Sequence, residues 1–285
     1  MPLPAGMASR PALAFTTSSL AEIMTDCFEG YVVPQTVNGE MFNARFRRES
    51  LDLRASRVLM EGERAVALIL VARRGWTARI AAMGIVPSHR ARGLGRSALG
   101  EVIDDLRGLG DRRLLLEVID SNEPAIRLYS SLGFRTRRRL IGYRRPAGPE
   151  ASPPVADLVE VDPLIVARKV AEEGPPDLPW IMAPETLAAG AAPARGLSLA
   201  GEAFAIVEPV PQPSSLALRT LVVSRNARGR GLGKAMILSL AAAHPGRDLL
   251  ISANFPEELV PGFMVRMGFE RTPIGQVEME LDLAV

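Results

Sequence analysis

The strongest constraint on how this chain can fold is a short glycine loop that occurs twice. Arg90-Ala91-Arg92-Gly93-Leu94-Gly95 and Arg228-Gly229-Arg230-Gly231-Leu232-Gly233 share the pattern Arg-x-x-Gly-x-Gly, 228 − 90 = 138 residues apart. Each follows an apolar run, at 80–86 and 216–223, and each precedes a helical pattern. Matching strand–loop–helix units in the two halves predict two domains of one architecture. A chain of 285 residues is long enough for two cores of about 140 residues each.

Glycines at 93 and 95 remove side chains where the backbone must bend and approach a ligand. A helix beginning near Arg96 would present unsatisfied N–H groups there, so an anion is the natural occupant. The macrodipole contributes about 0.3 to 1 kcal/mol to such binding, and several N–H bonds to phosphate oxygens contribute more. Neither copy has the lysine of a Walker loop or the Gly-x-Gly-x-x-Gly of a dinucleotide fold. The reading is therefore a diphosphate held without nucleotide hydrolysis, against the plainer one of a tight turn without ligand.

Residues 143–157 hold four prolines among small residues, which forbids a regular helix or central strand and marks a seam. The expected domains are 1–147 and 158–285, joined by a linker at 148–157. In the first, helices are expected at 18–29, capped by Ser18 or Ser19, and at 40–48. A hairpin of 57–60 and 65–71 and a strand at 78–86 lead into the loop. A helix at 97–109, a buried strand at 113–119, a helix at 123–132 and a strand at 140–143 follow. The second half repeats this order through 197–199, 203–207, 216–223, 235–243, 249–252, 263–267 and 276–283, with little identity outside the loop.

Composition narrows the function. Cys27 is the only cysteine and His89 and His244 the only histidines, which excludes an intramolecular disulfide and argues against a zinc site, so no metal is expected. A net charge of +2 with basic and acidic residues interspersed, and 5% aromatics, shows no platform for nucleic acid. No apolar stretch approaches the ~20 residues that span a bilayer, and the first residues lack a secretory pattern, so a cytoplasmic location is the default expectation.

The segments MGIVPSHRARGLGRSAL and LEVIDSNEPAIRLYSSLGF, about twenty residues apart, resemble the GNAT superfamily of acyl-CoA-dependent N-acetyltransferases. That resemblance implies an α/β fold of two tandem domains, each a mixed central sheet flanked by helices with a V-shaped splay between two parallel strands. It implies acetyl-CoA as co-substrate, with Ile85 and Val86 supplying backbone contacts to pantetheine. Arg90, Ala91, Arg92, Gly93, Leu94, Gly95, Arg96 and Ser97 would hold the diphosphate, and Asn122 would contact the cofactor. A possible second site comprises Val223, Arg228, Gly229, Arg230, Gly231, Leu232, Gly233 and Lys234.

Acetyl transfer to an amine needs a neutral nucleophile, a polarised thioester carbonyl and a proton for the thiolate. Tyr129, four residues before Gly133-Phe134, matches the family's helix tyrosine and is the candidate acid; packing on a helix face is the alternative. Glu117 lies in an apolar strand, where an ionised carboxylate needs a partner, water or a raised pKa, so it is either a base or a solvated strand-end group. Its spacing of twelve residues from Tyr129 resembles the glutamate–tyrosine pair of ribosomal-protein N-terminal acetyltransferases. Asn122 can equally cap the following helix. Oxyanion polarisation would fall to a backbone N–H near Ile85 or Val86. Arg137 to Arg139 could meet an acidic acceptor or a phosphate, or simply solvate a strand edge. His89 adjoins the loop, Trp76 and Trp180 are expected to pack, and Cys27 to be core.

Aligning Gly268-Phe269 with Gly133-Phe134 places Met264 at the Tyr129 position, and aligning Asn254 with Asn122 places Leu249 at the Glu117 position. Neither moves a proton, and the segment from Asn254 to Gly268 is longer than its counterpart. The second domain thus either binds coenzyme A without chemistry or walls the first domain's acceptor cleft, in a pseudo-dimeric monomer or a homodimer. The leading expectation is acetyl transfer to a primary amine of a small molecule or peptide; an acyl-CoA sensor and a mycothiol-synthase-like biosynthetic enzyme are the alternatives.

Overall fold

A computed structural model of the chain describes residues 3–4, 6–33, 36–148, 156–210, 214–260 and 262–284. The chain forms two compact units, the first of residues 1–137 and 277–285, the second of 138–276. The seam expected at 148–157 falls mostly outside the described residues, and the units do not follow chain order. Each takes its last strand from the other half of the sequence.

In the first unit come β1 (Met7–Pro11), α1 (Thr17–Cys27), α2 (Gly39–Arg48), β2 (Arg57–Glu61), β3 (Arg64–Arg74) and β4 (Thr77–Ile85). α3 (Leu94–Gly108), β5 (Arg113–Ile119), α4 (Glu123–Ser131) and β6 (Arg135–Arg145) follow. β1 to β4 pair antiparallel in order and β4 pairs parallel with β5. β3 is apolar and buried from Ala67 to Ala72, as a strand covered on both faces must be. Beyond β5 lies the last strand of the chain, β12 (Glu270–Asp282), whose residues from Val277 belong to this unit. Leu283 N–H donates to the Arg112 carbonyl at 2.9 Å, and Arg113 and Arg137 reach Glu280 at 3.9 and 3.6 Å.

The second unit holds β7 (Val159–Val161), α5 (Pro163–Glu173), α6 (Pro184–Ala188), β8 (Arg195–Leu199), β9 (Ala203–Pro209), β10 (Ser215–Val223), α7 (Leu232–Ala243), β11 (Asp248–Pro256) and α8 (Phe263–Arg266). β7 to β10 are antiparallel neighbours, β10 is parallel to β11, and β11 pairs antiparallel with residues 140–145 of β6. Its core gathers Leu197, Ala205, Leu216, Met236, Leu240, Leu249 and Phe269.

Both units contain the expected splay, and both make it the same way. The β4–β5 register ends at Ile80↔Leu116 although both strands continue. One residue later Ala81 is the extra residue of a bulge against β3, between the pairs Leu70↔Ala82 and Val71↔Ile80. The β10–β11 register ends at Ala217↔Leu250, and Arg219 is the bulged residue against β9. An extra residue bends its strand and strengthens its twist, which turns β4 and β10 away from their parallel neighbours.

The elements missing from the sequence reading are β1, β7, α5 and α6. β1 and β7 are short and largely exposed. α5 begins at Asp162-Pro163, a legible cap followed by a proline at the first helical position, but it lies among prolines that read as irregular chain. Thr16, rather than Ser18 or Ser19, caps α1 by accepting from Ser19 N–H at 3.1 Å. No described helix is long and apolar enough to cross a membrane.

Candidate functional site

The two loops have one backbone. Ala91 and Gly93 sit at φ 60° and 78°, and their counterparts Gly229 and Gly231 at φ 77° and 81°. α3 and α7 start directly from Gly93 and Gly231 with no side-chain cap. Thr16, Asn38, Asn122 and Asp162 cap α1, α2, α4 and α5, so among the described helices of eight or more residues only these two begin with their first N–H groups offered outward. Gly95 has a packing reason as well: a Cβ there would meet Met83 Cε, Ile85 Cδ1 and Leu128 Cδ2 at 3.2 to 3.3 Å.

The loop arginines divide into fasteners and exposed cations. Arg90 Nε donates to the Ile85 carbonyl at 2.8 Å, and Nη2 donates to those of Cys27 and Glu29 at 3.2 and 2.7 Å, tying the loop to the end of α1. Arg228 repeats this with the Val223 and Glu173 carbonyls, at the end of α5. Arg96 caps the end of α4 through Ser131, and Arg230 pairs with Glu202 at 3.2 Å. Arg92 and Lys234 remain exposed, and Ser97 is buried under the loop.

Val86 N–H donates to the Val66 carbonyl at 3.0 Å, so it is turned toward β3 and cannot serve the cleft. In an antiparallel pair alternate residues point their polar groups to opposite edges, which leaves Met83 and Ile85 facing the splay. The backbone donor expected near Ile85 or Val86 is therefore narrowed to Ile85, with Met83 added.

Tyr129, on α4, is buried, its hydroxyl directed at Met83 Sδ at 3.9 Å and its ring packed on Phe134 at 5.8 Å between centroids. Burial, with the Tyr31 phenol a lesser contributor, pushes its pKa upward, so the group holds its proton at neutral pH. Asn122 caps α4 by accepting from Ala125 N–H at 3.3 Å.

Glu117 is the first residue of β5 beyond the paired stretch, and its carboxylate is held by a guanidinium. Arg79 Nε donates to its Oε2 at 2.8 Å and Nη2 to the same oxygen at 2.7 Å. Arg79 Nη1 donates to Glu49 Oε2 at 2.6 Å, and Arg45 reaches Glu49 Oε1 at 3.1 Å. Arg79, Glu49 and Glu117 are all nearly inaccessible to solvent, with side-chain exposures of 6%, 6% and 4%. The partner a buried carboxylate needs is thus a guanidinium, whose own pKa burial would lower but Glu117 and Glu49 hold above its ordinary value. Arg79 is the charged residue inside the apolar run 78–86; a search of that run for acids passes over it.

Burial pushes the Cys27 thiol up to about 12, with Asp26 adding to the shift, which leaves it inert. His89 is held between Ser88 Oγ and Glu61 Oε2 at 2.9 and 3.2 Å. Arg137 pairs with Glu278 and Glu280 on β12, Arg138 with Asp177 and Arg139 with Glu257, so each arginine of this run has an acidic partner within its own unit. Trp180 is buried, whereas Trp76 is 62% exposed with the Arg112 guanidinium 3.7 Å over its ring.

In the second unit Phe269 N–H donates to the Met264 carbonyl at 3.0 Å, as Phe134 N–H does to Tyr129 at 3.1 Å, which puts Met264 at the tyrosine position. The strand register corrects the other equivalence. Leu115 pairs with Arg79 and Leu250 with Ala217, each two residues before the bulged one, so Ser252 rather than Leu249 occupies the Glu117 position. The guanidinium is also gone, replaced by Ala217.

Residues 18–134 match the acetyltransferase (GNAT) family. The chain is 46% identical over 52 residues to the ribosomal protein bS18-alanine N-acetyltransferase of Escherichia coli strain K12, which is 18% of this chain and 35% of that protein. It is 39% identical over 72 residues to the N-alpha-acetyltransferase RimI of Mycobacterium tuberculosis strain H37Rv, 24% of this chain and 42% of that protein. The match therefore spans 35% to 42% of the length of these curated relatives. Among solved structures, a GCN5-related N-acetyltransferase from Sphaerobacter thermophilus superposes with a TM-score of 0.69 at 15% identity, over 99% of this chain and 97% of that one. A tandem GNAT protein of clavulanic acid biosynthesis does so with a TM-score of 0.67 at 19% identity, over 98% of each chain. At such identities the likeness is one of fold, and it extends over both units.

Proposed function

We propose, on the premise that the chain belongs to the acetyltransferase (GNAT) family, that it moves an acetyl group from acetyl-CoA directly to a primary amine in the cleft of its N-terminal unit. The observation that carries this reading is the placement of Tyr129: a protonated phenol at the splay, against β4, beside a helix whose first N–H groups await an anion. Residues 90–97 bind the diphosphate through the backbone, while Arg90 and Arg96 hold the loop in shape. The Ile85 and Met83 edge of β4 supplies hydrogen bonds to the pantetheine chain and to the thioester oxygen.

The amine nitrogen attacks the thioester carbon, the carbon–sulfur bond breaks, and Tyr129 protonates the departing thiolate while the amine's proton leaves to solvent. Glu117 acts through Arg79 as a positioning residue rather than as the base. The inert Cys27 fits direct transfer without an acyl-enzyme. The catalytic centre lies in the 1–147 half, and the copy in 158–285 is degenerate. The curated relatives' names point to a protein α-amine, so peptides with a free N-terminus are the first acceptors to test, alongside small amines.

Tyr129→Phe should lower turnover at least about tenfold with acetyl-CoA affinity little changed, as for a lost general acid. Unchanged turnover would remove Tyr129 from the mechanism. A sensor of acyl-CoA has no need of that phenol, so its retention favours transfer.

A further inference from the structure

The second unit contains a cavity that the proposed transfer does not use, and it opens at the splay between β10 and β11. Its volume is about 160 Å³ and its lining is mostly apolar. Met264 and Ser252, which stand where the first unit has Tyr129 and Glu117, both line it. The lengthened segment before Gly268 contributes Leu259, Val260 and Phe263. What proton transfer would have needed has become a greasy wall.

Two observations select the occupant. A cavity of roughly 150 Å³ lined by aliphatic and aromatic side chains accepts benzene, so this one takes a group of about six carbons. Ser224 N–H donates to the Glu202 carbonyl at 2.9 Å, and by alternation Leu221 and Val223 direct their backbone groups to the unpaired edge of β10. A ligand with a carbonyl at the head of its chain finds a hydrogen-bond donor there, and Thr220 and Asn254 add polar groups to the lining.

We infer that the second unit's cleft is a binding site, without chemistry, for an acyl group of about six carbons, either as a free acid or carried as a thioester. The inference does not rest on transfer in the first unit, because it uses only the cavity and strand edge of the second.

The test is calorimetric titration of the full chain with acetyl-CoA, hexanoyl-CoA, dodecanoyl-CoA and hexanoate, repeated with Ser252→Phe and Val260→Glu. Both substituted positions are exposed at the cavity, so the variants should fold. Each buried methylene multiplies affinity by about four, so hexanoyl-CoA should bind at least about tenfold more tightly than acetyl-CoA, with no further gain for dodecanoyl-CoA. Either variant should abolish that gain while leaving acetyl-CoA binding in place. Hexanoate binding as tightly as hexanoyl-CoA would assign the site to the free acid, and a preference for hexanoyl-CoA to the carried group. Affinity independent of chain length, or a chain-length gain that survives in both variants, would overturn the proposal.

Discussion

At the scale of the residue, two groups read as a catalytic pair stand in different surroundings: Tyr129 against Met83 and Phe134, Glu117 on Arg79. Tyr129 was legible because a tyrosine at a fixed distance before Gly-Phe needs no tertiary information. The environment of Glu117 was not, because its partner Arg79 lies 38 positions away and meets it only through the parallel register of β4 and β5. Glu117→Gln should therefore change turnover by less than about threefold; a loss of a hundredfold or more, as expected for a general base, would restore it to that role. Arg79→Leu should be far more damaging to stability, by about 3 to 5 kcal/mol, since it leaves the buried Glu117 carboxylate without its cation and takes from Glu49 its buried partner, leaving it Arg45. Denaturant unfolding measures this. The pH dependence follows from the raised pKa of Tyr129. Activity should climb as the amine loses its proton and then hold, because the acid stays protonated beyond the ordinary phenol value of 10.0. A descending limb below pH 9 in kcat/KM that vanishes in Tyr129→Phe would contradict this.

At the scale of the element, the loop and the bulge act together: one presents N–H groups, the other opens the strands beside them. The loop was legible because glycine spacing is local. The bulges at Ala81 and Arg219 were not, since neither residue type marks one and the extra residue exists only relative to a partner strand. The two copies also differ in tightness. A Cβ at Gly233 would meet Phe263 at an ordinary 3.4 Å, whereas at Gly95 three side chains would have to give. Gly233→Ala should raise stability by about 0.5 kcal/mol through helix propensity. Gly95→Ala should show no such gain and should weaken acetyl-CoA binding about fivefold, as overpacking moves the start of α3 off β4. Thermal unfolding and calorimetry on the pair check this, and equal behaviour of the two variants would count against it.

At the scale of the whole molecule, the exchange of last strands makes each unit depend on chain from the other half. Deleting residues 277–285 should therefore weaken the N-terminal unit first. Hydrogen exchange should accelerate in β5, and acetyl-CoA binding in that unit should fall, while β8 to β10 stay protected. Faster exchange confined to the second unit would show that the strand is dispensable to β5. The sequence by itself determined the repeat, the place of both loops, most helices and strands, and the loss of the phenol from the second copy, because all of these are written in residue types at short range. Tertiary structure decided which strand belongs to which unit, that Glu117 is bound to Arg79, that Val86 faces β3, and that the second splay has become an apolar cavity. Each of those depends on which residues distant in the chain come to lie side by side, and hydrophobic pattern constrains burial far more tightly than it constrains partner.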